Sequence, residues 1–283
     1  MIKILRIEQW TKNLIIFIPA ILSNNFKVFT SYEIYIVFIS FSLLASSTYI
    51  LNDIKDIEQD RIHPEKKYRP LASGSLNVKV ASAYSFVLLT MSFLVIYAVN
   101  YDLVVLYFVY LIITIFYSSN FKYIKYLDFL SITILFGIRI LIGANSATVE
   151  LTISFVLFLL FTLTLISIGK KLSILNNNKV SEDSKVKKHL IKSYSDTELH
   201  KLCILSSFFS LVIFSFWNFQ NTNIYSFEFL ISALSIIILY YFNKSFIKAS
   251  LYSKTENFVE WIIASRNIIT IVFLSLLTLI IIY

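Results

Sequence analysis

Apolar residues run through this chain in long blocks, and polar residues gather in the gaps between them. Nine blocks stand out, at roughly 13–30, 34–54, 79–99, 102–119, 128–147, 151–170, 202–218, 226–243 and 267–283. Stretches of about 17 to 25 apolar residues are what a helix needs to cross a hydrocarbon core. The pattern predicts an all-α polytopic membrane protein with nine spans. Two blocks are irregular: Pro19 interrupts the first and Asp102 opens the fourth. Residues 5–23 resemble a signal peptide in length. Trp10, Lys12 and Asn13 break their apolar core, however, and no small-x-small cleavage site follows, so they read as part of the first span.

Composition supports this class. Hydrophobic residues make up 57% of the 283, with only 4 Gly and 3 Pro, which is no ordinary soluble domain. No linker or second domain interrupts the pattern, so residues 1–283 are expected to form one integral-membrane catalytic domain. A net charge of +8 takes its meaning from where the cations fall. With the N-terminus in the cytoplasm and nine spans threaded, 23 of the 25 Lys and Arg lie in cytoplasmic segments. Lys27 falls outside and Arg139 lies within a span. That asymmetry satisfies the positive-inside rule and expects a protein of the bacterial cytoplasmic membrane, with its N-terminus and active site on the cytoplasmic side. The charge is spread over five loops, so no nucleic-acid partner is expected. One cysteine, Cys203, excludes an intrachain disulfide framework and a multi-Cys metal site. The loop at about 171–200 predicts a short amphipathic helix near 186–200, and residues 245–265 read as an interfacial segment.

Chemistry concentrates at the end of the second block, in Asn52-Asp53-Ile54-Lys55-Asp56-Ile57-Glu58-Gln59-Asp60. On a continuous helix Asp53, Asp56 and Asp60 share an arc of about 60°, with Glu58 well off that face. Three like charges on one face repel unless a cation sits among them. Mg²⁺ suits the arrangement, because it takes one or two carboxylates and fills its remaining positions with water and phosphate oxygens. Asn52 flanks the cluster with a neutral oxygen or donor. A solvated helix end is the plainer reading of the same residues.

The segment that follows, His63-Pro64-Glu65-Lys66-Lys67-Tyr68-Arg69-Pro70, reads as a phosphate receiver. Lys66 and Lys67 offer point charges and Arg69 a planar fork. Ordinary positive-inside bias also puts Lys and Arg beside a span end. Asp128 and Arg139 lie about three turns apart on one face of the fifth block. A charge inside a span faces a bundle interior or a watery cavity, and Arg139 is therefore either a contact for lipid phosphate or a structural partner of a polar group.

The string Asn-Asp-x-x-Asp-x-x-x-Asp-Arg-x-His-Pro-x-Lys-x-x-Arg-Pro-x-Ala-x-Gly, starting at Asn52, resembles the UbiA superfamily of intramembrane prenyltransferases. Within it, the string is most similar to the decaprenyl-phosphate phosphoribosyltransferase branch. Other pieces agree: Gln9-Trp10-x-Lys12-Asn13, Tyr117-Ser118 with Lys122 and Asp128, Arg139 then Gly143, and Gly169-Lys170-Lys171. The likeness covers about residues 6–175 and is diffuse beyond, where Ser265 stands in place of an Asp before Arg266. The resemblance implies a UbiA-like bundle around a central cavity open to the cytoplasmic side. It implies phosphoribosyl pyrophosphate as donor, a polyprenyl phosphate as acceptor and Mg²⁺ as cofactor. Asp53, Asp56 and Asp60 would hold the metal and act in catalysis. Lys12, Asn52, Lys66, Lys67, Arg69, Tyr117, Lys122, Asp128 and Arg139 would bind substrate, Lys12 near the acceptor phosphate.

The family's prenyltransferases usually carry a second Asp-rich motif on the fifth span. Here Asp128 stands alone, with Ile132 four residues on and no further carboxylate before Glu150. That departure favours the phosphoribosyl branch, whose products feed cell-wall biosynthesis. A UbiA-type prenyltransferase acting on an aromatic or other small acceptor is the alternative. A non-catalytic transporter or lipid-binding membrane protein is a third, although matched, interrupted spans at the midplane would suit it better. The bilayer is an expected partner, and a homo-oligomer is compatible with the pattern.

Overall fold

The computed structural model describes residues 2–22, 26–62, 66–177, 185–220, 227–255, 258–265 and 267–270. Its helices, in chain order, are α1 (Ile18–Leu22), α2 (Glu33–Lys55), α3 (Ile57–Ile62), α4 (Val78–Val99), α5 (Val104–Ser119) and α6 (Leu127–Ser146). They continue with α7 (Ile153–Asn176), α8 (Lys185–Ser193), α9 (Asp196–Gln220), α10 (Phe227–Leu251) and α11 (Phe258–Ala264). Short 3₁₀ turns join them, and no strand occurs among the described residues. Seven helices there are long and apolar enough to cross a membrane: Glu33–Lys55, Val78–Val99, Tyr101–Ser119, Leu127–Ser146, Ile153–Asn176, Asp196–Gln220 and Leu230–Leu251. They coincide with the second to eighth apolar blocks. Their outward residues are large and apolar, as at Phe86, Leu94, Val105, Phe208 and Leu230. Such a surface suits lipid, and each helix satisfies its own backbone polar groups.

The first predicted span takes another form. Residues Ile7–Phe17 form a 3₁₀ helix, followed by the five-residue α1. Pro19 falls where the 3₁₀ helix passes directly into α1; it has no N–H to donate, and inside a longer α-helix its ring would clash with the carbonyl four residues back. Of the ninth block, 267–283, all but the first four residues lie outside the described set. The interfacial segment expected at 245–265 begins later, because α10 runs on to Leu251 before α11.

The chain divides into two compact units, Met1–Lys122 with Ile138–Glu150, and Tyr123–Gly137 with Leu151–Tyr283. In the first unit α2 is the inner helix, with 61% of its span buried against 22% for α4. Small residues let the two approach closely. Ser40 Oγ donates to the Ser92 carbonyl at 2.9 Å and Ser92 Oγ returns a bond to the Ser40 carbonyl at 2.8 Å. Two turns along, Ser47 and Ser85 repeat the exchange at 2.9 and 3.1 Å. Asn77 caps α4 by accepting from the Lys79 amide at 2.8 Å. The turn from Pro70 back to α4 uses Gly74 at φ 77, and Leu76 N donates to the Pro70 carbonyl at 3.0 Å.

In the second unit α7, α9 and α10 pack around Leu165, Ile168, Leu172, Leu199, Cys203 and Phe246. Thr152 caps α7 through the Phe155 amide at 3.3 Å. Thr162 and Ser210 hydroxyls meet at 2.7 Å across α7 and α9. The amphipathic helix expected near 186–200 is α8, which buries Leu190 in this core.

Candidate functional site

The acidic end of α2 lies wholly in the first unit. Asn52 and Asp53 occupy the last turn of α2, and Asp56 sits at the junction with α3 at φ −95, ψ 10. Backbone bonds from Asp56 N to the Asn52 carbonyl and from Asp60 N to the Asp56 carbonyl hold the helical path. Asp53 and Asp60 are buried. Each acid is paired with a cation. Arg6 Nη2 bonds Asp53 Oδ1. Arg69 Nη1 reaches Asp53 Oδ1 at 3.2 Å and Asp60 Oδ2 at 2.6 Å. Lys122 Nζ lies 3.0 Å from Asp56 Oδ1.

The single arc of three carboxylates expected from an unbroken helix is therefore split. Asp53 and Asp60 converge on Arg69, while Asp56, at the helix junction, faces Lys122. Among the described residues no three His, Cys, Asp or Glu groups come together as a metal-ligand set. Two carboxylates that already share one cationic nitrogen are, even so, a fit for Mg²⁺, which needs only one or two protein carboxylates when phosphate oxygens complete its shell.

Arg6, which the hydropathy pattern marks only as one basic residue among many, is the unexpected member. Its backbone is left-handed at φ 50, ψ 50, a conformation that costs an L-residue about 1–2 kcal/mol. Neighbouring contacts hold it there. Ser46 Oγ donates to the Leu5 carbonyl at 2.7 Å and accepts from Trp10 Nε1 at 3.0 Å. The Arg6 guanidinium lies 5.7 Å from the Tyr49 ring centre. Ser46, Tyr49 and Asp53 are spaced three and four apart along α2, so the N-terminal segment lies on one face of that helix.

The basic segment after α3 is described from Lys66 onward; His63, Pro64 and Glu65 lie outside the described residues. Lys66–Tyr68 form one 3₁₀ turn. Lys66 is half-buried, and burial, then the Arg69 charge, hold its ammonium below the ordinary lysine range against the pull of Asp60 and Asp56. Lys67 is exposed, 5.1 Å from the Tyr68 ring centre. Lys12 is exposed on the N-terminal 3₁₀ helix, and Tyr117 is half-buried near the end of α5.

Arg139 is buried in the first unit. Its Nε donates to Asn13 Oδ1 at 2.9 Å and its Nη2 to the Tyr110 hydroxyl at 3.0 Å. Phe41 and Tyr110 rings lie 5.3 and 5.0 Å from its Cζ. Asn13 in turn donates to Ser42 Oγ at 3.0 Å. This is the polar partner on a neighbouring segment that the structural reading of Arg139 requires. A polar Asn within the first apolar block was the available signal.

Asp128 belongs to the second unit and is fully buried. Lys171 Nζ lies 2.5 Å from its Oδ2, and Tyr194 donates its hydroxyl to Oδ1 at 2.9 Å. The Phe129 amide also donates to Oδ1, at 2.8 Å. Tyr194 accepts from the Tyr126 amide at 2.5 Å, and burial first, with Asp128 adding, raises its phenol pKa. Lys125 and Tyr126 hold Glu198 at 2.8 and 2.9 Å. Asp128 thus has two donors on Oδ1 and the Lys171 cation against Oδ2.

The profile of the UbiA prenyltransferase family fits residues 13–260. The chain belongs to that family. Its relatives include decaprenyl-phosphate phosphoribosyltransferases. The one from Mycolicibacterium smegmatis (strain ATCC 700084 / mc(2)155) is 28% identical over 226 residues, covering 78% of this chain and 70% of that protein. The one from Corynebacterium glutamicum is 29% identical over 228 residues, covering 78% and 67%. A UbiA homolog from Archaeoglobus fulgidus, solved with GPP and Mg²⁺, matches with a TM-score of 0.66 over 98% of this chain and 95% of that one. At 16% identity that likeness is one of fold. The chain is a UbiA-family membrane transferase.

Proposed function

We propose that this UbiA-family member moves a 5-phosphoribosyl group from phosphoribosyl pyrophosphate to a polyprenyl phosphate and releases pyrophosphate, with Mg²⁺. The observation that carries the proposal is the cluster at the end of α2, where Asp53, Asp56 and Asp60 meet Arg6, Arg69 and Lys122 with Lys66 beside them. The phosphoribosyltransferase relatives support the choice of donor, as does the state of Asp128, whose carboxylate is taken up by Lys171 and Tyr194.

Asp53 and Asp60 would hold Mg²⁺, which would supply positive charge to the departing pyrophosphate. Arg69, Lys66, Lys67 and Lys122 bind and orient the donor's phosphates. Lys66 is suited to this, since an anion relieves the penalty of holding a desolvated cation beside Arg69. The acceptor is already an anion, so positioning does the work that a strong general base would otherwise do. Attack in line with the departing group inverts the anomeric carbon. Lys12, Asn52 and Tyr117 are assigned to substrate binding. Arg139 is assigned to holding Asn13 and Tyr110, and Asp128 to fixing Lys171. Residues 1–283 are read as one catalytic domain in a bacterial cytoplasmic membrane, with the acidic cluster and the N-terminus on the cytoplasmic side.

Purified protein in detergent is given radiolabelled phosphoribosyl pyrophosphate, Mg²⁺ and polyprenyl phosphates of several lengths. A labelled lipid is the expected product. Label entering lipid only from a prenyl diphosphate donor with an aromatic acceptor overturns the proposal in favour of the prenyltransferase reading.

A further inference from the structure

Within the paired cluster three carboxylates face three cations, so the acids are neutralised before any divalent ion arrives. Asp53 is the most heavily engaged of them. Two guanidiniums, from Arg6 and Arg69, meet on its single Oδ1 atom. A metal ion that takes this oxygen must displace at least one of them.

Arg6 is the one placed to leave. Arg69 keeps Asp60 at 2.6 Å whichever way Asp53 turns, whereas Asp53 is the sole carboxylate that Arg6 is paired with among the described residues. The N-terminal segment around Arg6 is tied to α2 independently of the guanidinium, through Ser46 and its bonds to Leu5 and Trp10. Losing the Asp53 pair therefore frees the side chain without detaching the segment. A released guanidinium needs a new anion, and planar forks match phosphate oxygens as well as carboxylates.

We propose that Arg6 is a positioning residue that occupies Oδ1 of Asp53 until substrate arrives, then exchanges Asp53 for a donor phosphate as the divalent ion binds. This rests on the reading of Asp53 as a metal ligand. The exchange couples the two ligands: the ion binds weakly alone, because Arg6 competes for Asp53, and tightly with pyrophosphate, which takes Arg6 away. The coupling is reciprocal, so the ion also tightens pyrophosphate.

Mn²⁺ binding to the purified protein, followed by the loss of the free-ion paramagnetic resonance signal, tests this without turnover. It is measured with and without pyrophosphate, free Mn²⁺ being corrected for its pyrophosphate complex. In the unaltered chain pyrophosphate should tighten Mn²⁺ by about tenfold, an ordinary coupling strength. Arg6→Gln should bind Mn²⁺ alone about tenfold more tightly and lose most of the pyrophosphate effect. Arg6→Lys, which keeps the charge, should fall between. Gel filtration and a melting curve for each variant identify misfolded protein, and Arg6→Lys carries the test if Arg6→Gln fails to fold. Unchanged Mn²⁺ affinity in the folded Arg6 variants, with Asp53→Asn abolishing binding, overturns the exchange and leaves the metal site standing. Mn²⁺ binding that survives Asp53→Asn overturns both.

Discussion

Arg139 donates from Nε to Asn13 Oδ1 at 2.9 Å, joining α6 to the N-terminal 3₁₀ helix through two buried side chains 126 positions apart. Removing the acceptor leaves a desolvated charged donor. Asn13→Leu should cost about 2 kcal/mol, read as a lowered melting temperature in detergent. Asn13→Asp, which offers the guanidinium a carboxylate, should melt at or above the unaltered protein.

Gly143 and Gly169 make opposite demands on their neighbours. A Cβ at Gly143 would strike the Ile16 carbonyl, whereas one at Gly169 would strike the ring of Phe246 and the Ser250 hydroxyl. Backbone inside a packed segment moves less readily than a ring. Gly143→Ala should lower expression of folded protein sharply, while Gly169→Ala paired with Phe246→Leu should restore part of the stability lost by Gly169→Ala alone. Fluorescence-detected gel filtration with heating reads both.

Asp128 and Lys171 form an ion pair with the acid fully buried. Breaking such a pair from one side leaves an uncompensated charge, so Lys171→Met should destabilise by about 3–5 kcal/mol. The double variant Asp128→Asn with Lys171→Met should recover much of that. Additive losses in a double-mutant melting cycle would refute the pairing.

Asp53→Asn and Asp56→Asn should each nearly abolish turnover while the protein still elutes as a folded species. The causes differ. Asp53→Asn removes a carboxylate shared by Arg6 and Arg69, and Asp56→Asn frees Lys122. Initial rates in the donor assay check both; unaltered rates in Asp53→Asn would remove the metal assignment, and unaltered rates in Asp56→Asn would remove the role of the Asp56–Lys122 pair.

If Lys66 holds the donor's phosphates as proposed, pyrophosphate binding should be sensitive to alkali. Burial and Arg69 lower its pKa in the free protein, and only the protonated amine holds the anion. Affinity is therefore complete while Lys66 is protonated, and falls as pH rises past that lowered value. Lys66→Arg stays charged throughout and should flatten the alkaline decline relative to the unaltered chain. Comparing the two by calorimetry at each pH cancels the ligand's own ionisation.

Much of the molecule was legible along the chain because a bilayer imposes a one-dimensional rule. A span must be long, apolar and helical, so the second to eighth blocks became helices, although α7, α9 and α10 run past their blocks, and α8 appeared where an amphipathic pattern lay. The acids of Asn52–Asp60 were equally plain, since charge at the end of an apolar run has few explanations. Pairing was not legible. Arg6 looked like any basic residue near a span, yet a left-handed backbone and the anchor at Ser46 bring it to Asp53, 47 positions away. Asp128 looked solitary until Lys171 and Tyr194 closed on it. Hydropathy is a property of each residue in turn, and it sufficed to write the helices. Which cation meets which acid depends on helix faces, on the break at Asp56 and on the few ångströms over which ion pairs act, and these exist only once the chain is folded.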